Sequence, residues 1–292
     1  MLKISVQALQ RSARNSLFTN NSVLWRREAF VSCLFAFIFN GNEDDNMQTP
    51  IFSVVIPAYN EEKYIRKCLE AVKKAEAYFG ENAVQMIVSA NRCTDKTAEI
   101  ARSCGAEVSE NEVRCISGVR NAGAALAKGS IIVFIDADSC MSETSFKEIN
   151  EMLSSGKYIG GGTRAKFDRM SLGIMASSAY VAAQIIPIMK KHKAALMGGM
   201  FWCFREDFER LGGFDETLVS LEDMDFAVRL KQLGDSCGKK YGVLKKSYIV
   251  TSSRKFDEFG DWYLIKNRRL TKAIFTGKDR KAADEFYYNV RK

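Results

Sequence analysis

No stretch constrains this chain more than Ser130-Ile131-Ile132-Val133-Phe134-Ile135-Asp136-Ala137-Asp138. An unbroken apolar run without alternation needs cover on both sides, which a parallel strand between two layers of helices provides. The run stops at two carboxylates one residue apart. Sheets of this kind bind ligands beyond the carboxyl ends of their strands, so the pair stands where a ligand would lie. Two readings follow: a hard cation such as Mg2+ or Mn2+ held with the help of substrate phosphates, or solvated acids capping the next element. The spacing alone leaves both open.

The rest of the chain repeats strand and helix, as a mostly parallel sheet flanked by helices requires. Strands are expected at Phe52 to Ile56, where Pro57 breaks the run, at Val84 to Val88, near Ala106-Glu107-Val108, at Tyr158 to Gly162 and at Gly242 to Val250. Ala195 to Phe204 reads as a strand or loop. Helices are expected from about Glu61, with Ile65, Leu69 and Val72 inward, and after Thr94 or Asp95. Others are expected over Ile116 to Lys128, from Ser142 or Glu143, over Glu206 to Leu211, after Asp225, and from Phe256 to about Thr276. Gly160-Gly161-Gly162 marks a backbone that something approaches closely. Leu172 to Met189 is apolar and interrupted by Pro187, which favours a buried or acceptor-side helix over a membrane-surface one; the following Lys190-Lys191-His192-Lys193 suits the second.

The first 48 residues differ from the rest. Arg11, Arg14, Arg26 and Arg27 precede the first acid, Glu28, and Ala29 to Phe39 is apolar but too short to span a bilayer. A targeting segment, a peripheral anchor and a non-native extension ahead of Met47 all fit, the last best, since Met47-Gln48-Thr49-Pro50 leads straight into the first strand. The expected organisation is an N-terminal extension over 1–48, one α/β domain over 49–280 and a tail over 281–292.

A net charge of +8 favours an anionic partner. The basic residues are scattered, which speaks against nucleic acid. Eight cysteines without a Cys-x-x-Cys pair suit buried thiols in a reducing, cytoplasmic setting. The single histidine, His192, disfavours a serine–histidine triad or a multi-histidine metal site.

Several loops at the expected strand ends are chemically complementary. Pro57-Ala58-Tyr59-Asn60-Glu61 and Asn91-Arg92-Cys93-Thr94-Asp95 offer amide and carboxylate groups to a base and ribose. Arg120 with Asn121 reaches toward base or phosphate, and Arg254 with Lys255 toward a pyrophosphate. Glu222, Asp223 and Asp225 open a helix whose dipole keeps a carboxylate ionised, which suits a general base for an acceptor hydroxyl. Helix capping is commoner, but it does not ask for three acids in four positions. Singly, each group fits a solvated helix end; their order in the chain does not.

In that order the motifs resemble the inverting family 2 glycosyltransferases of the GT-A fold. The resemblance runs through Val54-Val55-Ile56-Pro57-Ala58-Tyr59-Asn60-Glu61-Glu62, Thr94-Asp95-Lys96-Thr97-Ala98, Arg120-Asn121-Ala122-Gly123, Phe134-Ile135-Asp136-Ala137-Asp138, Gly212-Gly213-Phe214-Asp215-Glu216 and Glu222-Asp223-Met224-Asp225, over about residues 52 to 235. It implies the α/β nucleotide-diphospho-sugar transferase fold. It also implies a single displacement from a nucleotide-diphosphate sugar, a UDP- or GDP-sugar, to a hydroxyl acceptor on a glycan, lipid or small molecule. By the same resemblance the donor is held by Pro57, Ala58, Tyr59, Glu61, Asn91, Arg120, Asp136, Ala137 and Arg254. Asp138 holds Mn2+ or Mg2+, Asp223 is the base, and the acceptor side lies at about 160–205.

The departures from the family pattern are informative. Family members usually carry an aspartate where Asn91 stands, which leaves the nucleotide open. There is no Gln-x-x-Arg-Trp motif, Asn267-Arg268-Arg269 being a faint echo, so single transfers are expected rather than processive synthesis. His192 is not in the C-terminal loop where some relatives place a metal ligand, which leaves Thr251 to Lys255 for the diphosphate. Two other classes compete. A nucleotidyltransferase needs a basic glycine-rich triphosphate loop, which Pro57-Ala58-Tyr59-Asn60 is not. An inactive sugar-nucleotide- or lipid-binding module is favoured only by Asn91. A protein that works at a membrane face as a peripheral partner is compatible with all of these.

Overall fold

The computed structural model describes residues 49–192, 199–218, 221–269 and 271. The expectations for 1–48 and 281–292 lie outside the described residues.

The strands are β1 (Phe52–Ala58), β2 (Val84–Asn91), β3 (Glu107–Asn111), β4 (Ile131–Ile135), β5 (Ser139–Met141), β6 (Tyr158–Phe167), β7 (Met200–Phe204) and β8 (Lys240–Thr251). They form one sheet in the order β3-β2-β1-β4-β7-β6-β8-β5. The first four are mutually parallel. From β4 onward directions mix: β7 runs antiparallel to β4 and β6, β8 is parallel to β6, and β5 is antiparallel to β8. The helices are α1 (Ile65–Phe79), α2 (Thr97–Ser103), α3 (Ile116–Ala124), α4 (Ser145–Ser154), α5 (Leu172–His192), α6 (Arg205–Arg210), α7 (Glu222–Ser236), α8 (Arg254–Phe259) and α9 (Tyr263–Lys266).

The central strands are buried on both faces, as their unbroken apolar runs demand. Phe52, Val54 and Ile56 of β1 and Ile131, Val133 and Ile135 of β4 join one core with α1 and α4. Their alternate neighbours Val55, Ile132 and Phe134 join a second core with α6 and α7. That division follows from the period of two along a strand.

Several expectations are corrected in detail. β1 continues through Pro57; its ladder with β4 ends at Val55 opposite Phe134, so on that side the strand asks for no donor at the proline. The helix expected from Glu61 starts at Ile65. The basic C-terminal helix is two short pieces, α8 and α9, parted at Gly260, whose φ of 89° is a left-handed conformation that suits glycine; residues beyond 271 lie outside the description. What approaches the glycines of β6 is the protein itself: a Cβ on Gly161 would stand 2.2 Å from the Gly242 carbonyl oxygen and 2.7 Å from the Trp202 ring. α5 buries one face, with Ile174 and Ser177 inaccessible, and leaves Leu172, Met175 and Ile186 open to solvent on the other.

Candidate active site

The first loop after β1 and the loop after β2 are sewn into one wall. The Thr94 amide donates to Asn60 Oδ1 at 2.9 Å and the Glu61 amide to Thr97 Oγ1 at 2.7 Å. The Glu62 amide donates to Asp95 Oδ2 at 3.0 Å, and the Lys96 amide returns a bond to Glu62 Oε2 at 3.2 Å. This is the reciprocal satisfaction that loose helix starts need. Two non-glycine residues of the wall, Asn60 and Arg92, have positive φ of 52° and 47°, a backbone state that costs energy and gathers at ligand-holding loops. The Arg92 guanidinium lies 5.6 Å from the Tyr59 ring centroid.

Asn91 ends β2 and is buried. Its amide nitrogen donates to the Val113 carbonyl at 2.6 Å and to Asn111 Oδ1 at 2.9 Å, while its Oδ1 accepts from Arg92 Nε at 3.3 Å. An aspartate has no proton to donate to the Val113 carbonyl, which gives a structural reason for asparagine here.

Arg120 is the hub. It is buried on α3, and its guanidinium lies over the rings of Phe201 and Phe214 at 5.7 and 5.6 Å. Phe134, Phe208 and Phe226 extend that aromatic floor. Nη2 donates to Asp136 Oδ1 at 3.1 Å, and Nη1 pairs with Glu222 Oε1. One side chain thus draws the end of β4 and the start of α7 together. Burial alone would lower the Arg120 pKa, and Glu222, Asp136 and Asp223 outweigh it, so the guanidinium is held charged. One cation among three acids leaves negative charge in surplus. Glu222, the buried acid, relieves it by holding its proton more readily: its pKa is raised to about 7 by burial and by Asp223 and Asp136 against the pull of Arg120. Neighbouring Asn121 is structural: it donates to the Phe214 carbonyl at 3.0 Å and accepts from the Phe214 amide at 2.9 Å.

The three acids at the start of α7 separate by partner. Glu222 belongs to Arg120. Asp225 pairs with Arg229 at 2.7 Å, and Arg229 also donates to the carbonyls of Leu211 and Gly213. Asp223 has no ion pair among the described residues; its Oδ1 accepts the Met224 amide at 2.7 Å. Leu221, just before it, has a φ of 62°, a strained value for leucine that fixes the helix entry.

On the opposite side, Glu61 and Arg254 make a fork, Nη1 to Oε2 at 2.6 Å and Nη2 to Oε1 at 2.8 Å, with Glu61 wholly buried. Nη2 of the same guanidinium stands 2.9 Å from Asp138 Oδ2. Burial opposes the Arg254 charge, but the bonds to Glu61 and the field of Asp138 raise its pKa overall. β5 and β8 place these groups: Ser139 pairs with Thr251, and the Ser252 amide donates to the Asp138 carbonyl at 3.1 Å. No local pattern joins Glu61 and Arg254, which are 193 residues apart and become partners only in the fold. The only available sign was that both flank loops at expected strand ends.

The donor set of Asp136 and Asp138 suits a hard cation that takes most of its remaining ligands from a substrate. Each carboxylate already faces an arginine through one oxygen, and among the described residues no group of three or more His, Cys, Asp or Glu gathers around a point. A cation here would rest on Asp138, with Asp136 beside it, and would depend on phosphate oxygens. Pro57 and Ala137, both on the donor reading, are backbone positions at the ends of β1 and β4, Ala137 being buried.

These features define a class. The sequence model described as Glycosyl transferase family 2 matches residues 53–212, and the chain belongs to that family. Among curated proteins it is similar to glycosyltransferase AglE of Haloferax volcanii, 27% identical over 205 residues, covering 67% of this chain and 66% of that protein. It also resembles an uncharacterized glycosyltransferase of Haemophilus influenzae, 23% identical, covering 62% of each chain. The chain thus spans less than two thirds of these relatives. Among solved structures, S. aureus TarS 1-349 in complex with UDP-GlcNAc shares the fold with a TM-score of 0.54 at 18% identity, covering 82% of this chain and 71% of that one. The α/β fold with a mixed sheet and flanking helices is therefore that of the GT-A glycosyltransferases.

Proposed function

We propose that the chain is a glycosyltransferase that moves a sugar from a nucleotide-diphosphate sugar to a hydroxyl acceptor by a single, inverting displacement, one sugar per encounter. The observation that carries this reading is Arg120, which ties the strand-end acid Asp136 to the acidic start of α7 and so sets a donor edge against a candidate base. The loops Pro57 to Glu61 and Asn91 to Thr97 receive the nucleoside, and Asp136 orients it. Asp138 would hold Mn2+ or Mg2+, which when bound neutralises charge on the departing diphosphate. Asp223, without a cation partner among the described residues, takes the proton of the acceptor hydroxyl as its oxygen bonds to the anomeric carbon and the bond to the diphosphate breaks. UDP-sugars are the first donors to try, since the TarS structure holds UDP-GlcNAc. Asp223→Asn is expected to lower kcat by roughly 10²- to 10⁴-fold, the usual weight of a general base, with donor affinity retained. Unchanged turnover in that variant would remove Asp223 from the mechanism.

A second surface supports peripheral contact with an anionic lipid face. No charged residue occurs from Leu172 to Met189, yet Leu172, Met175, Ala179, Ala182 and Ile186 lie exposed along α5 at helical spacing. Exposed Trp262 lies against the start of the same helix beside Gly173, and exposed Lys266, Arg268 and Arg269 follow it. No helix of the described residues is long and apolar enough to cross a membrane. Sedimentation with phosphatidylglycerol vesicles, lost in Leu172→Asp/Met175→Asp, is the expected result. Self-association through this face without vesicle binding would assign it to a second copy instead.

A further inference from the structure

We propose that Arg254 is a displaceable counter-ion of Asp138: its guanidinium, held on Asp138, closes the cation position, so a divalent cation binds tightly only together with a nucleotide diphosphate, which draws the arginine away. This rests on the reading of Asp138 as the cation ligand.

Three observations carry it. The Arg254 fork takes both oxygens of Glu61, and the same Nη2 reaches Asp138 Oδ2 at 2.9 Å, so the positive charge already stands where a cation would neutralise that carboxylate. A dication entering beside a fixed guanidinium meets like-charge repulsion, and the one oxygen of Asp138 not facing the arginine, Oδ1, accepts only a long hydrogen bond from Ser139 Oγ at 3.5 Å. The arrangement is also incompletely satisfied: the Arg254 Nε is buried with no acceptor among the described residues, so a diphosphate offers the guanidinium partners it lacks.

The backbone beneath this side chain is fixed, which confines the movement to the side chain. The Ser253 amide donates to Asp168 Oδ1 at 2.9 Å, Phe256 packs edge-on against Phe167 at 5.3 Å, and Arg169 clamps Asp257 and Asp261. The Tyr64 ring, 4.7 Å from the guanidinium carbon, gives the cation a face to slide along. Glu61 is then the pivot that keeps the arginine near the site in both positions.

The test is Mn2+ binding by electron paramagnetic resonance, with Mn2+ alone and with Mn2+ plus UDP or GDP, on the full chain. Wild type is expected to bind Mn2+ alone weakly and at least tenfold more tightly with the nucleotide that fits. Arg254→Met is expected to bind Mn2+ alone at least tenfold more tightly than wild type and to lose most of the nucleotide enhancement. Because Arg254→Met leaves Glu61 buried without its fork, Arg254→Lys serves as a second variant: one ammonium keeps charge on Glu61 but cannot span Glu61 and Asp138 as the fork does, and it should give an intermediate gain. If both variants fold, by circular dichroism, and bind Mn2+ alone as wild type does while Asp138→Asn abolishes binding, the counter-ion role is overturned and the cation-ligand reading stands. If Asp138→Asn leaves Mn2+ binding unchanged in the presence of nucleotide, both fall together.

Discussion

At the scale of single residues, Glu222 is the most exposed to test by pH. Its pKa in the fold is about 7 against an ordinary 4.5, so the folded chain binds this proton at pH values where the unfolded chain does not. Its contribution to stability therefore improves as pH falls through about 7 and is least favourable above that. Denaturant unfolding at pH 8 and pH 5.5 should show wild type gaining on Glu222→Gln at the lower pH; a difference that does not vary with pH would contradict the assignment. Arg120 carries the complementary expectation: Arg120→Met leaves Glu222 buried without its cation and should cost about 3–5 kcal/mol in the same measurement. The candidate acids were legible in the sequence because carboxylates that end a buried strand or crowd a helix start stand out against their surroundings. Arg120 and Arg254 were legible as site residues too, but not their pairing with these acids, since Arg120–Glu222 and Arg254–Glu61 join residues far apart in the chain and no local pattern encodes such pairs. The amide network that holds Asn91 was equally hidden, because it ends on backbone carbonyls.

At the scale of elements, the buried strands β1, β2 and β4 were readable because helices on both faces leave no polar alternation in them. β5 was missed: three residues, Ser139–Met141, become a strand only through pairing with β8. The glycines of β6 mark a backbone that something approaches closely, and what approaches is Trp202 and the β8 backbone. Gly161→Ala tests that packing role, since its Cβ would meet the Gly242 carbonyl at 2.2 Å, an impossible contact without movement of a neighbouring strand. The loss is expected to be at least the roughly 1–3 kcal/mol typical of overpacking, visible as a fall in midpoint in denaturant unfolding, and wild-type stability in the variant would refute the close approach. α5 was legible as a helix, but which of its residues face solvent was not. An apolar helix with no charges looks buried from composition alone, and only its placement shows that Leu172 and Met175 remain open.

At the scale of the whole molecule, the sheet divides into a parallel half and a mixed half, and the division is functional in the proposed reading. The parallel half, β3-β2-β1-β4, presents its loops to the donor, while β6, α5 and β7 form the side where an acceptor would lie. Family membership follows from a match over residues 53–212, which takes in the parallel half and reaches into the mixed one, and the motifs keep the family order as far as Glu222-Asp223-Met224-Asp225. The acceptor side follows no such order, which is why the sequence named a region there and no residues. The claim on which the rest depends is that the edge at Asp136 and Asp138 receives a nucleotide-diphosphate sugar, and melting the chain with a panel of sugar nucleotides plus Mn2+ tests it most directly. At a hundred times Kd a ligand contributes about 2.7 kcal/mol, or roughly 5–10 °C for a domain of this size. We expect at least one sugar nucleotide to raise Tm by that order in wild type and to leave Asp138→Asn unmoved. No shift with any of them, or an equal shift in Asp138→Asn, would contradict the account.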